Sequence, residues 1–116
     1  MASILLSEAD PDVRRLLKLL LERLGHEAIV LDGGSEVPPS ADLLLLEPAS
    51  PAFLEQARLA RLLHPHLPVV CVSILPSRGA FLELGPLIHL EKPFTISALS
   101  DAIERALSPA PALSLI

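Results

Sequence analysis

Three runs of aliphatic residues constrain the fold of this chain more than any other feature. They are SILLS at 3–7, DLLLLE at 42–47 and PVVCVS at 68–73, and their apolar residues follow one another without alternation. Strands that are apolar on both faces are typical of a parallel sheet covered by helices on each side. Two shorter runs, EAIVL at 27–31 and LIHL at 87–90, supply further candidate strands. The sequence therefore predicts a buried parallel sheet of five strands.

Helical patterns separate these strands. The clearest extends from Asp10 to Leu24, where Asp10 suits the N-cap, Pro11 the first turn and Gly25 the end of the helix. A second helix is predicted from Ser50-Pro51 to about Leu63, and a third from Thr95 to Leu107. Apolar residues at helical spacing are predicted to face inward. In the first helix these are Val13, Leu16, Leu17, Leu20 and Leu24, and in the third Ile96, Leu99, Ile103, Ala106 and Leu107.

The order of strands and helices predicts a doubly wound α/β fold with three layers, α/β/α. Two connections, 32–41 and 74–86, have room for only short helices among their glycines and prolines. We expect one domain over residues 1–108 and a proline- and alanine-rich tail over 109–116.

Composition excludes several function classes. The net charge is −5 and there are three Phe, no Tyr and no Trp among 116 residues, which argues against a nucleic-acid surface. The single cysteine, Cys71, excludes an internal disulfide and a multi-cysteine zinc site. No signal peptide and no apolar stretch long enough to cross a bilayer is evident, so we expect a cytoplasmic protein without membrane contact. His64 and His66 are spaced like metal ligands, but without further ligands they predict no metal site.

Four polar residues follow four of the predicted strands. They are Glu8, Glu47, Ser73 and Lys92. In a doubly wound sheet the binding crevice lies outside the carboxyl ends of the strands. We therefore expect two carboxylates, a hydroxyl and an ammonium group to meet there.

These segments together resemble the receiver domain of two-component response regulators. ILLSEADPDVRRLL is similar to that family's first strand, acidic pair and first helix, and ADLLLLEPASP to the strand carrying its phospho-accepting aspartate. PVVCVS resembles the strand that ends in the switch residue, here Ser73. LEKPF resembles the lysine motif, here Lys92, Pro93 and Phe94, in which the peptide before proline is typically cis. The resemblance implies a flavodoxin-like sheet in the order 2-1-3-4-5, with shortened second and fourth family helices.

The chain departs from the family at two site positions. Glu47 stands where the resemblance places the phospho-accepting aspartate, and Ala9 stands where it places an aspartate that ligates Mg²⁺. Glu8 and Asp10 remain as the acids of the pocket, although Asp10 also suits the helix cap. Mg²⁺ requires a near-octahedral shell of oxygens, so we expect weak or no binding, no cofactor and no enzymatic activity.

The resemblance therefore implies a stand-alone receiver-like signalling module that acts by docking onto a kinase, an output protein or an assembly partner. The last helix and its adjoining strand are the expected contact face, and a homodimer is possible. Glu47 either mimics a phosphorylated aspartate, with Lys92 and Ser73 as its partners, or is a remnant of an ancestral site. The alternatives are a structural or assembly protein without switching, a receiver that is still phosphorylated or binds metal, and a small hydrolase with Ser73 as nucleophile.

Overall fold

A computed structural model of the chain describes residues 2–32, 38, 40–47, 51–73 and 87–108. Its strands are β1 (Ser3–Ser7), β2 (Glu27–Val30), β3 (Leu43–Leu46), β4 (Val69–Ser73) and β5 (Leu87–Glu91). Its helices are α1 (Pro11–Arg23), α2 (Pro51–Leu63) and α3 (Ile96–Leu107). The five strands and three long helices predicted from the sequence are confirmed to within a residue or two at their ends.

The strands form one parallel sheet in the order β2-β1-β3-β4-β5, which confirms the predicted fold class. β1 and β3 lie near the centre of the sheet, and Ser7 of β1 pairs with Leu46 of β3. Because both strands run in the same direction, the residues that follow them lie side by side at the carboxyl ends of the strands, which we call the carboxyl edge of the sheet.

The two faces of the sheet carry separate apolar layers. Alternate strand residues, such as Ile4 and Leu43 on one face and Leu5 and Leu44 on the other, are fully buried. Helices α1 and α3 cover the first face with their buried leucine, isoleucine and alanine residues, and α2 covers the second face with Ala57 and Ala60. This arrangement explains why the strand sequences are apolar at every position.

Two of the predicted inward positions are wrong. Leu16 of α1 is 54% exposed and Ile96 of α3 is 43% exposed. In α1 the buried stripe instead includes Leu21, which is fully buried and lies 100° further round the helix than Leu20. The stripe is thus displaced towards Leu17 and Leu21, and Leu16 lies outside it.

The ends of α1 follow the predicted signals. The Asp10 carboxylate accepts hydrogen bonds from the backbone N–H groups of Asp12 and Val13, and Gly25 adopts a φ of 90° just after the helix. That left-handed conformation is open to glycine without strain. Thr95 caps α3 by accepting a hydrogen bond from the Ala98 N–H.

The predicted short helices in 32–41 and 74–86, and the tail at 109–116, fall largely or wholly outside the described residues.

Within the part of the chain that the structure describes, no helix is long and apolar enough to cross a membrane.

Candidate functional site

The site lies at the carboxyl edge of the sheet, where Glu8 follows β1 and Glu47 follows β3. The backbone N–H of Glu47 donates a 2.8 Å hydrogen bond to the carbonyl oxygen of Ser7, which extends the β1–β3 pairing by one step. The two acidic residues are therefore held on neighbouring strands by backbone geometry.

Lys92 connects the two carboxylates. Its Nζ lies 3.2 Å from Oε1 of Glu8 and 3.9 Å from Oε2 of Glu47. Lys92 follows β5 at the far side of the sheet, and its peptide bond to Pro93 is cis, as the resemblance implies. The structure thus brings together three of the four polar residues predicted to meet at this edge.

Glu8 is the most enclosed member of the site. Only 3% of the residue is exposed, and both of its carboxylate oxygens have a partner within the protein. Oε1 is paired with Lys92, and Oε2 accepts a 3.1 Å hydrogen bond from the backbone N–H of Asp10. A buried carboxylate without a counter-charge is strongly unfavourable, so the nearby ammonium group compensates for the desolvation of Glu8.

The other predicted site residues take different positions. Asp10 contributes its backbone N–H to Glu8, while its carboxylate caps α1 at an exposed position. Phe94 is partly buried and packs against the core cluster that includes Leu99 and Ile103 of α3. The backbone of Ser73 ends β4 and pairs with Glu91, but the Ser73 side chain lies outside the described part of the structure.

Sequence reasoning did not connect Cys71 with this site. Cys71 is fully buried in β4, where it pairs with Leu46, the residue before Glu47. Burial, and to a lesser degree the negative charge of Glu47, raises the pKa of the Cys71 thiol from 9.0 to about 11. The thiol therefore stays neutral at physiological pH and is a poor nucleophile.

Ser7 is a second residue that sequence reasoning did not connect with the site. Its hydroxyl is buried and finds no hydrogen-bond partner within the described part of the structure. The signal in the sequence is a polar residue that ends an otherwise apolar strand. Its carbonyl oxygen positions Glu47, so the residue belongs to the framework of the site.

The residues of this site offer few side chains that could bind a metal ion. Among the residues that the structure describes, no cluster of three or more His, Cys, Asp or Glu side chains could hold a metal ion. Ala9, which follows Glu8 directly, is exposed and offers only a methyl group.

Solved structures with the same fold are receiver domains and related proteins. Chemotaxis protein CheY4 of Vibrio cholerae matches with a TM-score of 0.78 and 19% identity, over 92% of this chain and 99% of that chain. The receiver domain of a sensor histidine kinase from Pseudomonas aeruginosa, with a magnesium ion coordinated in its active site cleft, gives a TM-score of 0.72 and 22% identity, over 91% and 97%. A putative pilus assembly protein from Burkholderia thailandensis gives a TM-score of 0.74 and 24% identity, over 94% and 100%.

No protein-family model and no curated protein sequence matches the chain. At these identities the solved structures establish the fold, which is that of a response-regulator receiver domain.

Proposed function

We propose that this chain is a receiver-like signalling module that docks onto another protein and is not phosphorylated in the usual way. The observation that carries the proposal is the position of Lys92 between Glu8 and Glu47, at 3.2 and 3.9 Å. An internal ammonium group is thus the counter-charge of both carboxylates, and Ala9, the residue after Glu8, supplies no further acid.

The residues at this edge do not fit Mg²⁺. The ion requires about six oxygen ligands at roughly 2.0–2.1 Å in near-octahedral geometry. Both oxygens of Glu8 already have partners in Lys92 and the Asp10 backbone, and Ala9 supplies no ligand. A divalent cation would also have to approach the Lys92 ammonium group, which repels it.

Phosphoryl transfer to Glu47 is disfavoured for the same reason. The reaction needs a metal ion to neutralise the transferring oxygens and a nucleophile in line with phosphorus. Glutamate places its carboxylate one methylene further from the backbone than the aspartate of the resembled family. A displacement of about 1 Å is enough to lose much of the rate that positioning provides.

Glu47 has two roles that are consistent with docking. At 3.9 Å its attraction to Lys92 is worth about 1–4 kcal/mol, depending on the local dielectric, so it could hold the module in one state as a partial mimic of phosphoaspartate. The shorter contact from Lys92 goes to Glu8, however, and this favours a remnant whose ion pair stabilises the fold. The two roles differ in whether neutralising Glu47 changes docking.

The first test is exposure of the purified protein to acetyl phosphate with and without Mg²⁺, followed by intact-mass measurement. We expect no phosphoryl adduct in either condition. The Glu47→Asp/Ala9→Asp double variant is the matched positive control, because it restores both acids of the resembled family. A Mg²⁺-dependent adduct on the unmodified chain would overturn the proposal.

The second test separates the two roles of Glu47. In the Glu47→Gln variant the side chain keeps its shape but loses its charge. If Glu47 mimics phosphoaspartate, the affinity for a docking partner falls, and if it is a remnant the affinity stays the same. The Glu91→Gln variant, at an exposed position one residue before Lys92, is the control for a general change in charge.

An assembly protein without switching is the second candidate. The observation that favours it is the match to a putative pilus assembly protein, which extends over the whole of that chain. In this case the crevice does not control partner binding. Neither the Glu47→Gln variant nor the restored double variant would then alter incorporation into the assembly, measured by co-sedimentation.

A further inference from the structure

We propose that a groove along the exposed face of α3 binds a basic amphipathic helix of the partner protein. The inference rests on the proposed docking function and specifies the chemistry of its partner. The groove has a volume of about 580 Å³. It is lined by Leu24 at the end of α1 and by residues of α3 and its cap: Thr95, Ile96, Ser97, Ala98, Ser100, Asp101 and Glu104.

The shape of the groove suits a helix. Ser97, Ser100, Asp101 and Glu104 follow the i, i+3, i+4, i+7 spacing of one helix face, so the groove runs along α3. A second helix packs against such a face by fitting its side-chain ridges between those of the first. The twelve residues of α3 extend about 18 Å, so a partner helix of three to four turns would cover the groove.

The groove also has an apolar part that the fold leaves uncovered. Ile96 is 43% exposed, although its position in α3 predicted burial. Leu24 and Ala98 line the same groove and are only partly buried. A partner with leucine or isoleucine on one helix face would remove this surface from water, as in other helix-in-groove complexes.

The charge of the groove determines which charge the partner helix must carry. Asp101 and Glu104 are exposed, and among the described residues that line the groove none is Lys or Arg. The basic residues nearest to the lining in sequence are Arg23 and Arg105. Both are exposed and lie outside the lining of the groove. With a net charge of −5 for the whole chain, the surface attracts a basic helix and repels an acidic helix, a nucleic acid or an anionic membrane.

The probe is a pair of designed amphipathic peptides of about four helical turns. One carries leucine on its apolar face and lysine on its polar face, and in the other every lysine is replaced by glutamate. Binding is measured by fluorescence anisotropy of the labelled peptide, and the contact residues are mapped by amide chemical shifts of the isotope-labelled protein. We expect binding of the lysine peptide alone, weakening as salt is added, with shifts concentrated at 95–104 and Leu24.

Matched variants locate the contact. We expect Asp101→Lys/Glu104→Lys to weaken binding of the lysine peptide by about tenfold. The Asp12→Lys/Glu55→Lys variant makes the same change in net charge on α1 and α2, outside the groove, and should change binding far less. Ile96→Ser should also weaken binding, whereas Leu19→Ser, at a position that is 53% exposed on α1, should not.

Three results would overturn the groove assignment. They are equal binding of both peptides, equal weakening by the groove and control variants, and a dimer of the unmodified chain that Asp101→Lys/Glu104→Lys dissociates, since a second copy would then occupy the groove. The acetyl phosphate test does not involve Asp101 or Glu104. A phosphoryl adduct would therefore remove the proposed function alone, and an absent peptide preference would remove the groove alone.

Discussion

The ammonium group of Lys92 has two carboxylates within 4 Å, and one of them belongs to Glu8, of which only 3% is exposed. The Glu8 contact is shorter and more enclosed, so Lys92 stabilises the fold mainly by neutralising Glu8. The pairing of Lys92 with Glu8 and the buried thiol of Cys71 each give a prediction about stability.

Replacing Lys92 by Met should destabilise the protein. The substitution leaves the Glu8 carboxylate buried without its counter-charge, and we expect a loss of about 1–3 kcal/mol because Lys92 is itself partly exposed. The midpoint of urea unfolding at pH 7 measures the change. Combining Lys92→Met with Glu8→Gln should recover part of the loss, which a double-mutant cycle would reveal.

The exposed pair of Lys18 and Glu22 on α1 is the control for Lys92→Met. Its atoms are 2.7 Å apart, but both side chains are nearly half exposed, so Lys18→Met should cost less than about 0.5 kcal/mol. Equal losses for the two methionine variants would show that Glu8 does not depend on Lys92.

Cys71 should make stability fall at alkaline pH. Its pKa is raised to about 11 in the folded protein, so between about pH 9 and pH 11 the unfolded chain loses this proton while the folded chain keeps it. The contribution of the neutral Cys71 thiol to the free energy of unfolding is complete below about pH 9. Between about pH 9 and pH 11 the protein loses up to about 2–3 kcal/mol of stability. Urea unfolding of the wild type and the Cys71→Ala variant across this pH range measures the difference.

Lysine side chains titrate over the same pH range. The slope of the unfolding free energy against pH in the Cys71→Ala variant must therefore be subtracted from that of the wild type. Identical slopes for the two proteins would contradict a raised thiol pKa. Because Glu47 contributes to the shift, Glu47→Gln should lower the thiol pKa in the folded protein, so the alkaline loss should end at a lower pH and be smaller.

The buried stripe of α1 gives opposite expectations for two of its leucines. Leu21 is fully buried and Leu16 is 54% exposed. Leu21→Ala should cost about 2–5 kcal/mol because it leaves a cavity in the core, whereas Leu16→Ala should cost less than about 1 kcal/mol. Thermal or urea unfolding of both variants measures the two values, and a larger loss at Leu16 would reverse the assigned orientation of the helix.

This contrast shows where sequence reasoning succeeds and fails. The strands and helices could be predicted because uninterrupted apolar runs, caps such as Asp10 and breaks such as Gly25 are local signals. Leu16 and Ile96 could not be placed, because α1 and α3 have more apolar residues than their contact with the sheet covers. Which of them face solvent depends on how each helix is rotated on the sheet.

The candidate site was predictable to a similar extent. Parallel strands bring the residues after their carboxyl ends together, and Glu8, Glu47 and Lys92 meet for that reason. The sequence did not reveal that Lys92 lies 0.7 Å closer to Glu8 than to Glu47 (3.2 against 3.9 Å). It also gave no sign that Cys71 responds to the charge of Glu47, because both features depend on distances in the folded chain.

We expect the stability of the whole protein to be independent of Mg²⁺. The unmodified protein should show the same unfolding midpoint in millimolar MgCl₂ as in a chelator, at matched ionic strength. The Ala9→Asp/Glu47→Asp variant should gain about 1–3 kcal/mol from Mg²⁺, because a ligand that binds only the folded state stabilises it.

Glu47→Asp alone, which leaves Ala9 in place, is the control and should gain less. A Mg²⁺-dependent rise in the midpoint of the unmodified protein would show that the two carboxylates and the ammonium group admit the ion after all.

The pair between Glu8 and Lys92 joins positions 84 residues apart. During synthesis on the ribosome, β1 and its terminal acid leave the exit tunnel long before β5 and Lys92 do. The acid at the end of β1 must therefore remain hydrated until β5 has been translated, and the edge of the sheet closes only then. A chain released before β5 would leave the Glu8 carboxylate without the ammonium group that compensates for its burial.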